Sequence, residues 1–195
     1  MMRVCGLAAR SLLPLVLLVL AVAVGPSGAA SVLVPAADVA LIRNPESGTE
    51  MRSLMRFDLS GELAGTTIEF AVVEFRAIVT SADAGGVLTL DAFPVTTEWS
   101  GDAVAWDEGW STPGGDFDRT IHAVWTAVSG ESSVVRFDVT DMVAAWASGA
   151  YPNCGLIVRA APGETGAAQP VGVAGERGAP MLKIWYTGPE RHDRR

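Results

Sequence analysis

Cysteine is nearly absent from this chain of 195 residues, which has only Cys5 and Cys154. That excludes a disulfide-built scaffold, so the fold must rest on a hydrophobic core. Histidine is as scarce: His122 and His192 lack the spacing of a zinc site. Charged residues make up 18% of the chain, and 22 acids against 14 bases give a net charge of −8. An acidic surface repels nucleic acid and anionic membranes. It also argues against a polyanionic substrate unless a local basic patch exists. No HExxH, GxSxG or glycine-rich phosphate loop occurs, which removes the commonest hydrolase and nucleotide-binding signatures.

What is present begins with a leader. Arg3 and Arg10 accompany an apolar run from Leu12 to Val24, interrupted only by Pro14. Gly25-Pro26-Ser27 breaks the run, and Gly28-Ala29-Ala30 offers the small residues a signal peptidase needs. The run is shorter than the roughly 20 residues of a transmembrane helix. Residues 1–30 are therefore expected to be a signal peptide, cleaved after Ala30, with no membrane span in the exported chain. Cys5 precedes the apolar run, so it is not the lipid-bearing cysteine of a lipoprotein. Residues 1–30 carry two arginines and no acid, so their removal takes the charge from −8 to −10. Only Cys154 then survives, and no intramolecular disulfide is expected; between a turn and a strand it reads as a small buried hydrophobe. The expected location is extracellular, cell-surface or periplasmic. Residues 31–187 suit one domain, which at this size buries roughly 70% of its unfolded surface. The charged tail, 188–195, is expected to be disordered.

The stretch from Val134 to Val158 organises the rest. Val135, Phe137 and Val139 alternate with Arg136 and Asp138, which predicts a strand with one apolar face. Thr140 stands where a helix cap belongs, Asp141 places negative charge on the positive end of the helix dipole, and Gly149 is placed to end the helix. Met142, Val143 and Trp146 share a helical face. A Gly/Pro turn then leads into a second strand.

Elsewhere the alternation has period two. Val32–Val34 and Val39–Ile42 read as strands separated by Pro35, followed by an Asn44–Gly48 turn. Ser53–Leu59 alternates Met55, Phe57 and Leu59 with Arg56 and Asp58. Thr67–Val79 puts Ala71, Val73, Phe75, Ala77 and Val79 on one face, and Phe70, Val72, Glu74 and Arg76 on the other. Ala84-Gly85-Gly86 turns the chain into Val87–Val95. Glu98–Asp118 reads as a long loop with a short strand around Ala103–Trp106. Ile121–Val128, Pro170–Ala174 and Met181–Thr187 complete the strands. Regular strand spacing, glycine-rich turns and one short helix predict an all-β fold, an antiparallel jelly-roll β-sandwich.

Several motifs in order then carry a resemblance: MRFDLS at 55–60, Trp99 with Val104-Ala105-Trp106, RFDVTDMVAAW at 136–146, Asn153-Cys154-Gly155-Leu156, and Ala179-Pro180-Met181-Leu182-Lys183-Ile184. Over about residues 37–187 the chain resembles the DNRLRE-domain family, secreted modules related to alginate-type carbohydrate-binding modules. The turn before MRFDLS is shorter than the family's, and Cys154 stands where a bulkier residue is usual. The resemblance implies a β jelly roll, export, and a non-catalytic role in sugar binding or cell-surface assembly.

Six Trp and two Tyr are the plausible sugar platforms, since a pyranose face stacks on a flat apolar ring. Trp99, Trp106 and Trp146 have apolar neighbours and read as core anchors. Trp110, Trp125, Tyr151 and Trp185 are the carbohydrate-binding candidates: Trp110 and Tyr151 lie in turns, and Trp125 has no decided register. Trp185 falls opposite Leu182, Ile184 and Tyr186, on the same face as Lys183. Asp107 and Glu108 are adjacent, so on an extended chain they point apart rather than across a glycosidase cleft. Asp116 and Asp118 flank Phe117 and are candidates for a structural calcium, although no EF-hand pattern supports one. No other cofactor is implied.

Three classes of function stay open. A non-catalytic module binding a neutral or mixed-charge extracellular glycan predicts exposed rings clustered on one face or at one loop end. A structural subunit of a cell-surface assembly, partnered by a surface protein, predicts rings buried or scattered. With 31–187 expected to be a lone domain, no attached enzyme is expected for it to guide, which favours the structural subunit. A glycan-active enzyme requires a convergent acidic cleft, for which the sequence offers no constellation.

Overall fold

A computed structural model describes residues 29–59, 61–81, 86–101, 103–172 and 178–188. Most of the expected leader, most of the Ala84–Gly86 turn, and the tail from 189 lie outside the described residues. Among the described residues nine antiparallel strands form in chain order: β1 Ala29–Arg43, β2 Met51–Phe57, β3 Thr67–Ser81, β4 Val87–Pro94, β5 Ala123–Val128, β6 Gly130–Asp138, β7 Leu156–Ala160, β8 Gly166–Pro170 and β9 Met181–Thr187. A helix, α1, spans Thr140–Ser148 and a single 3-10 turn spans Gly61–Leu63. This is the all-β antiparallel sandwich with one helix that period-two alternation predicts.

The hydrogen-bonded order is β5-β4-β7-β2-β1-β9-β3-β6, with β8 also on β3. The path curls into two facing sheets because two segments change sheets. In β1, residues 29–35 pair with β9 and residues 36–43 with β2, with a register shift between Ala36 and Asp38. On the far side, β6 pairs with β3 and β5 with β4, with only Ser129 between β5 and β6. The front sheet is thus the first half of β1 with β9, β3, β6 and β8. The back sheet is the second half of β1 with β2, β7, β4 and β5.

Alternation decides which side chains go between the sheets. Met55, Phe57, Val73, Phe75, Phe137, Leu156, Leu182 and Ile184 are almost fully buried in one cluster. The opposite face of the back sheet is also covered, and this was not expected. Ile42, Leu54, Phe93 and Ile157 pack under Trp99, Trp106 and Cys154 as a second cluster, so the long loop after β4 lies across that sheet. Each leucine-sized side chain enclosed in this way contributes about 1.5–3 kcal/mol. Trp99, Trp106 and Trp146 are buried, as core anchors should be.

Several expectations need correction. The two segments around Pro35 are one strand: proline lacks an N–H, but at the point where β1 changes partners that donor is not required. Ala103–Trp106 is a turn rather than a strand, closed by the Ala103 and Val104 N–H groups on the Ser100 carbonyl at 3.0 Å. The strand expected at Pro170–Ala174 lies earlier, at Gly166–Pro170, where small residues fit against β3; a Cβ on Gly166 would lie 2.2 Å from the Thr80 carbonyl oxygen. Thr140 is the first helical residue, not the cap. Its hydroxyl donates to Asp138 at 2.6 Å and accepts the Ala71 N–H at 3.0 Å, tying the helix to β3. Gly149 does end the helix in the left-handed region, at φ 73°. Cys154 is buried, as expected of a small hydrophobe; in the uncleaved chain it is disulfide-bonded, whereas the lone thiol was expected of the chain after cleavage at Ala30, and Cys5 lies outside the described residues.

Candidate functional site

β3 and β9 are neighbours whose inward residues are fixed by the core, so their alternate residues must point outward from the front sheet. Register then sets what stands side by side. Phe70 pairs with Trp185, Val72 with Lys183, and Glu74 with Met181; Arg136 of β6 lies across from Glu74 on the other side. The Phe70 and Trp185 rings are 5.3 Å apart with a 35° tilt. They remain 42% and 41% exposed, an unusual state for aromatic rings in a domain with so complete a core.

Beyond the rings the face becomes polar. Glu74 accepts from Arg136 Nε at 2.7 Å and from Lys183 Nζ at 3.3 Å. Above all the Arg136 hydrogen bond, and then Lys183, hold the Glu74 carboxyl below its ordinary range, against a burial effect that raises it. The carboxylate is therefore a fixed, ionised acceptor between two donors. A groove of about 520 Å³ continues the face, lined by Glu74, Arg76, Arg136 and Met181. Phe70 to Arg76 spans six residues of one strand, about 20 Å at the usual rise. Apolar rings at one end with polar groups fixed along a groove suit a ligand with both flat C–H surfaces and many hydroxyls.

The four sequence-predicted rings do not come together. Trp185 is on this face. Trp125 lies on β5 and is partly buried against the main core. Tyr151 also packs there, and its hydroxyl donates to Asp118 at 2.5 Å. Trp110 packs against the second cluster and donates from its indole to the Ala105 carbonyl at 2.8 Å. Phe70, Glu74, Arg136 and Lys183 were not singled out in the sequence. Their outward positions were legible from alternation, but their convergence depends on pairing β3 with β9 and with β6, whose meeting residues are 109 and 62 positions apart at Glu74.

The calcium candidates have other occupations. Asp116 accepts from Ser111 N–H and hydroxyl, Thr112 N–H and Thr97 hydroxyl, all at 2.8–3.0 Å. Burial opposes its ionisation, but the Ser111, Thr97 and Thr112 hydrogen bonds outweigh it and lower the pKa. Asp118 is lowered too, first by Tyr151 and then by Thr120. Among the described residues no group of three or more His, Cys, Asp or Glu side chains is arranged to hold a metal ion. Nor is any helix among them long and apolar enough to cross a membrane. Asp107 and Glu108 are both exposed in the loop.

The family model of carbohydrate-binding module family 96 matches residues 35–170. The match takes in Phe70, Glu74 and Arg136 and stops before β9, which carries Trp185. No curated protein matches the chain.

Proposed function

The chain belongs to carbohydrate-binding module family 96, and from that premise we propose an exported, non-catalytic module that holds one glycan chain along the outer face of its front sheet. The observation that carries this is the exposed, paired Phe70 and Trp185. Such rings receive the C–H face of a sugar, while Glu74 accepts hydroxyl protons and Arg136 and Lys183 donate to hydroxyl oxygens. The rings are tilted by 35°, so they suit a single twisting chain better than a flat crystalline surface. Mixed charge along the groove favours a neutral or mixed-charge glycan. The five ordered motifs support the finer placement among DNRLRE-domain proteins. The leader motif supports export to the extracellular space, the cell surface or the periplasm.

One observation favours a second reading. Leu33 and Ile78 are also exposed on this face, at 39% and 44%, which adds apolar surface beside Lys183 and on the far side of Glu74 from the rings. That suits a surface-protein partner in a structural assembly. A glycan array separates the two readings. Binding that falls about tenfold or more in Trp185→Ala and in Phe70→Ala supports the module; one tenfold step is about 1.4 kcal/mol. Failure to bind any glycan moves the face to the structural reading.

A further inference from the structure

On the opposite side of the sandwich the long loop after β4 makes a cavity of about 380 Å³ over the back sheet. Phe117 forms one wall, and two guanidinium groups approach its ring: Arg119 at 5.3 Å and Arg52 at 5.8 Å. They differ in what remains free. Arg52 is buried and committed, donating to the Gly114 carbonyl at 2.7 Å and to Glu50 at 2.6 Å and 3.2 Å. Arg119 is exposed and, among the described residues, has no hydrogen bond or ion pair; its guanidinium lies over the Phe117 ring. The wall behind it does not need to be built on binding. Asp116 staples Ser111, Thr112 and Thr97 together, and Arg52 fixes Gly114. Thr96 and Thr112 add hydroxyls to the lining.

We infer that this cavity is a second sugar site, and that the module cross-links two glycan chains. The inference rests on the glycan-binding reading above. The Arg119 fork, over the Phe117 ring at 5.3 Å, carries parallel N–H donors that match two neighbouring oxygens on one sugar residue. The threonine hydroxyls supply acceptors, and the volume lies within the range of small-ligand pockets. Residues alternate across each sheet, so the front-sheet rings and the loop cavity face opposite ways with the core between them. One short oligosaccharide cannot occupy both. Two chains held by one rigid body are tethered to each other, which raises avidity on a polysaccharide without any new contact.

The test uses the exported protein with cellohexaose, mannohexaose and xylohexaose, and with hydroxyethylcellulose, galactomannan and arabinoxylan as polymers. Titration calorimetry is expected to give two hexaoses per chain for at least one probe, and the matching polymer to thicken on addition of protein. Arg119→Ala and, separately, Phe70→Ala with Trp185→Ala should each leave one hexaose per chain and abolish the thickening. Arg119→Lys, which keeps the charge and loses the fork, should behave as Arg119→Ala. One hexaose per chain in the parent, unchanged by Arg119→Ala, overturns the second site and leaves the front-sheet reading standing. Two hexaoses in Arg119→Ala also overturn it. No binding by any of these probes, together with none on the glycan array, overturns the reading on which it depends. Thermal melts of each variant, expected within a few degrees of the parent, separate lost binding from lost fold.

Discussion

At the scale of single residues, the account depends on separating rings that hold the fold from rings that are left over. Trp99 is committed: it is 8% exposed and its indole donates to the Cys154 carbonyl at 2.8 Å. Trp185 is not, and its alternation partners Leu182 and Ile184 are fully buried, so its own side chain is dispensable for packing. Trp185→Ala is accordingly expected to change stability by less than about 1 kcal/mol, measured by denaturant unfolding. Trp146→Ala, by contrast, should cost about 3–5 kcal/mol. Gly155 is the opposite case, a residue without a side chain that cannot be given one. Its φ is +84°, and a Cβ would lie 2.3 Å from the Met55 carbonyl oxygen. Gly155→Ala should therefore lower the melting temperature more than any substitution on the front-sheet face. A melting temperature within error of the parent's would contradict that geometry.

At the scale of elements, the long loop after β4 behaves as part of the architecture. Asp116 is its staple, and that carboxylate acts as an acceptor only while ionised. Its folded pKa is lowered from 3.8, so its contribution is fully present above that value and disappears as pH falls through the lower folded one. The difference in melting temperature between the parent and Asp116→Ala should then stay constant above pH 3.8 and shrink in stronger acid. A difference that grew in acid would reverse the sign and the assignment. Hydrogen exchange should show the loop opening in Asp116→Ala while the front sheet stays protected.

The same loop marks how far the sequence could be read. Strands β2, β3, β6 and β9 were legible because one face is apolar and the other is not. The helix stop at Gly149 was legible because glycine tolerates the left-handed turn. The loop carries no period, so its burial of Leu54 and Ile157 under Trp99 and Trp106 was invisible until the strands were paired. For the same reason Trp185 could be placed outward from its own strand, but its partner Phe70 could not be found. Trp125, Tyr151 and Trp110 were proposed from turn chemistry and undecided register. All three are held by packing, Tyr151 and Trp110 also by hydrogen bonds, and only tertiary contacts reveal that.

At the scale of the whole molecule, an acidic chain presents two faces on which positive groups are concentrated: Arg136 and Lys183 beside Glu74, and Arg119 with Arg52 beside Phe117. Glu74 between Arg136 and Lys183, and Glu50 on Arg52, offset much of that charge, so both faces are of mixed charge on a protein of net charge −8. Raised salt should weaken glycan binding only slightly if the ligand is neutral, because hydroxyl contacts release no counterions. A steep loss between low and physiological salt would identify a polyanion instead. The first strand raises a separate expectation. Ala29 and Ala30 pair with Thr187 and Tyr186, so cleavage after Ala30 would trim β1 by two residues and leave its pairing from Ser31 intact. N-terminal sequencing of the exported protein should begin at Ser31; a chain that retains Met1 would contradict the leader assignment.

The most direct measurement is the indole N–H resonance of Trp185, assigned by its disappearance in Trp185→Phe and followed while a binding oligosaccharide is added to saturation. A sugar lying on the front sheet shifts that resonance progressively and leaves the buried Trp146 signal in place. A Trp185 resonance that does not move at saturation would contradict the central claim.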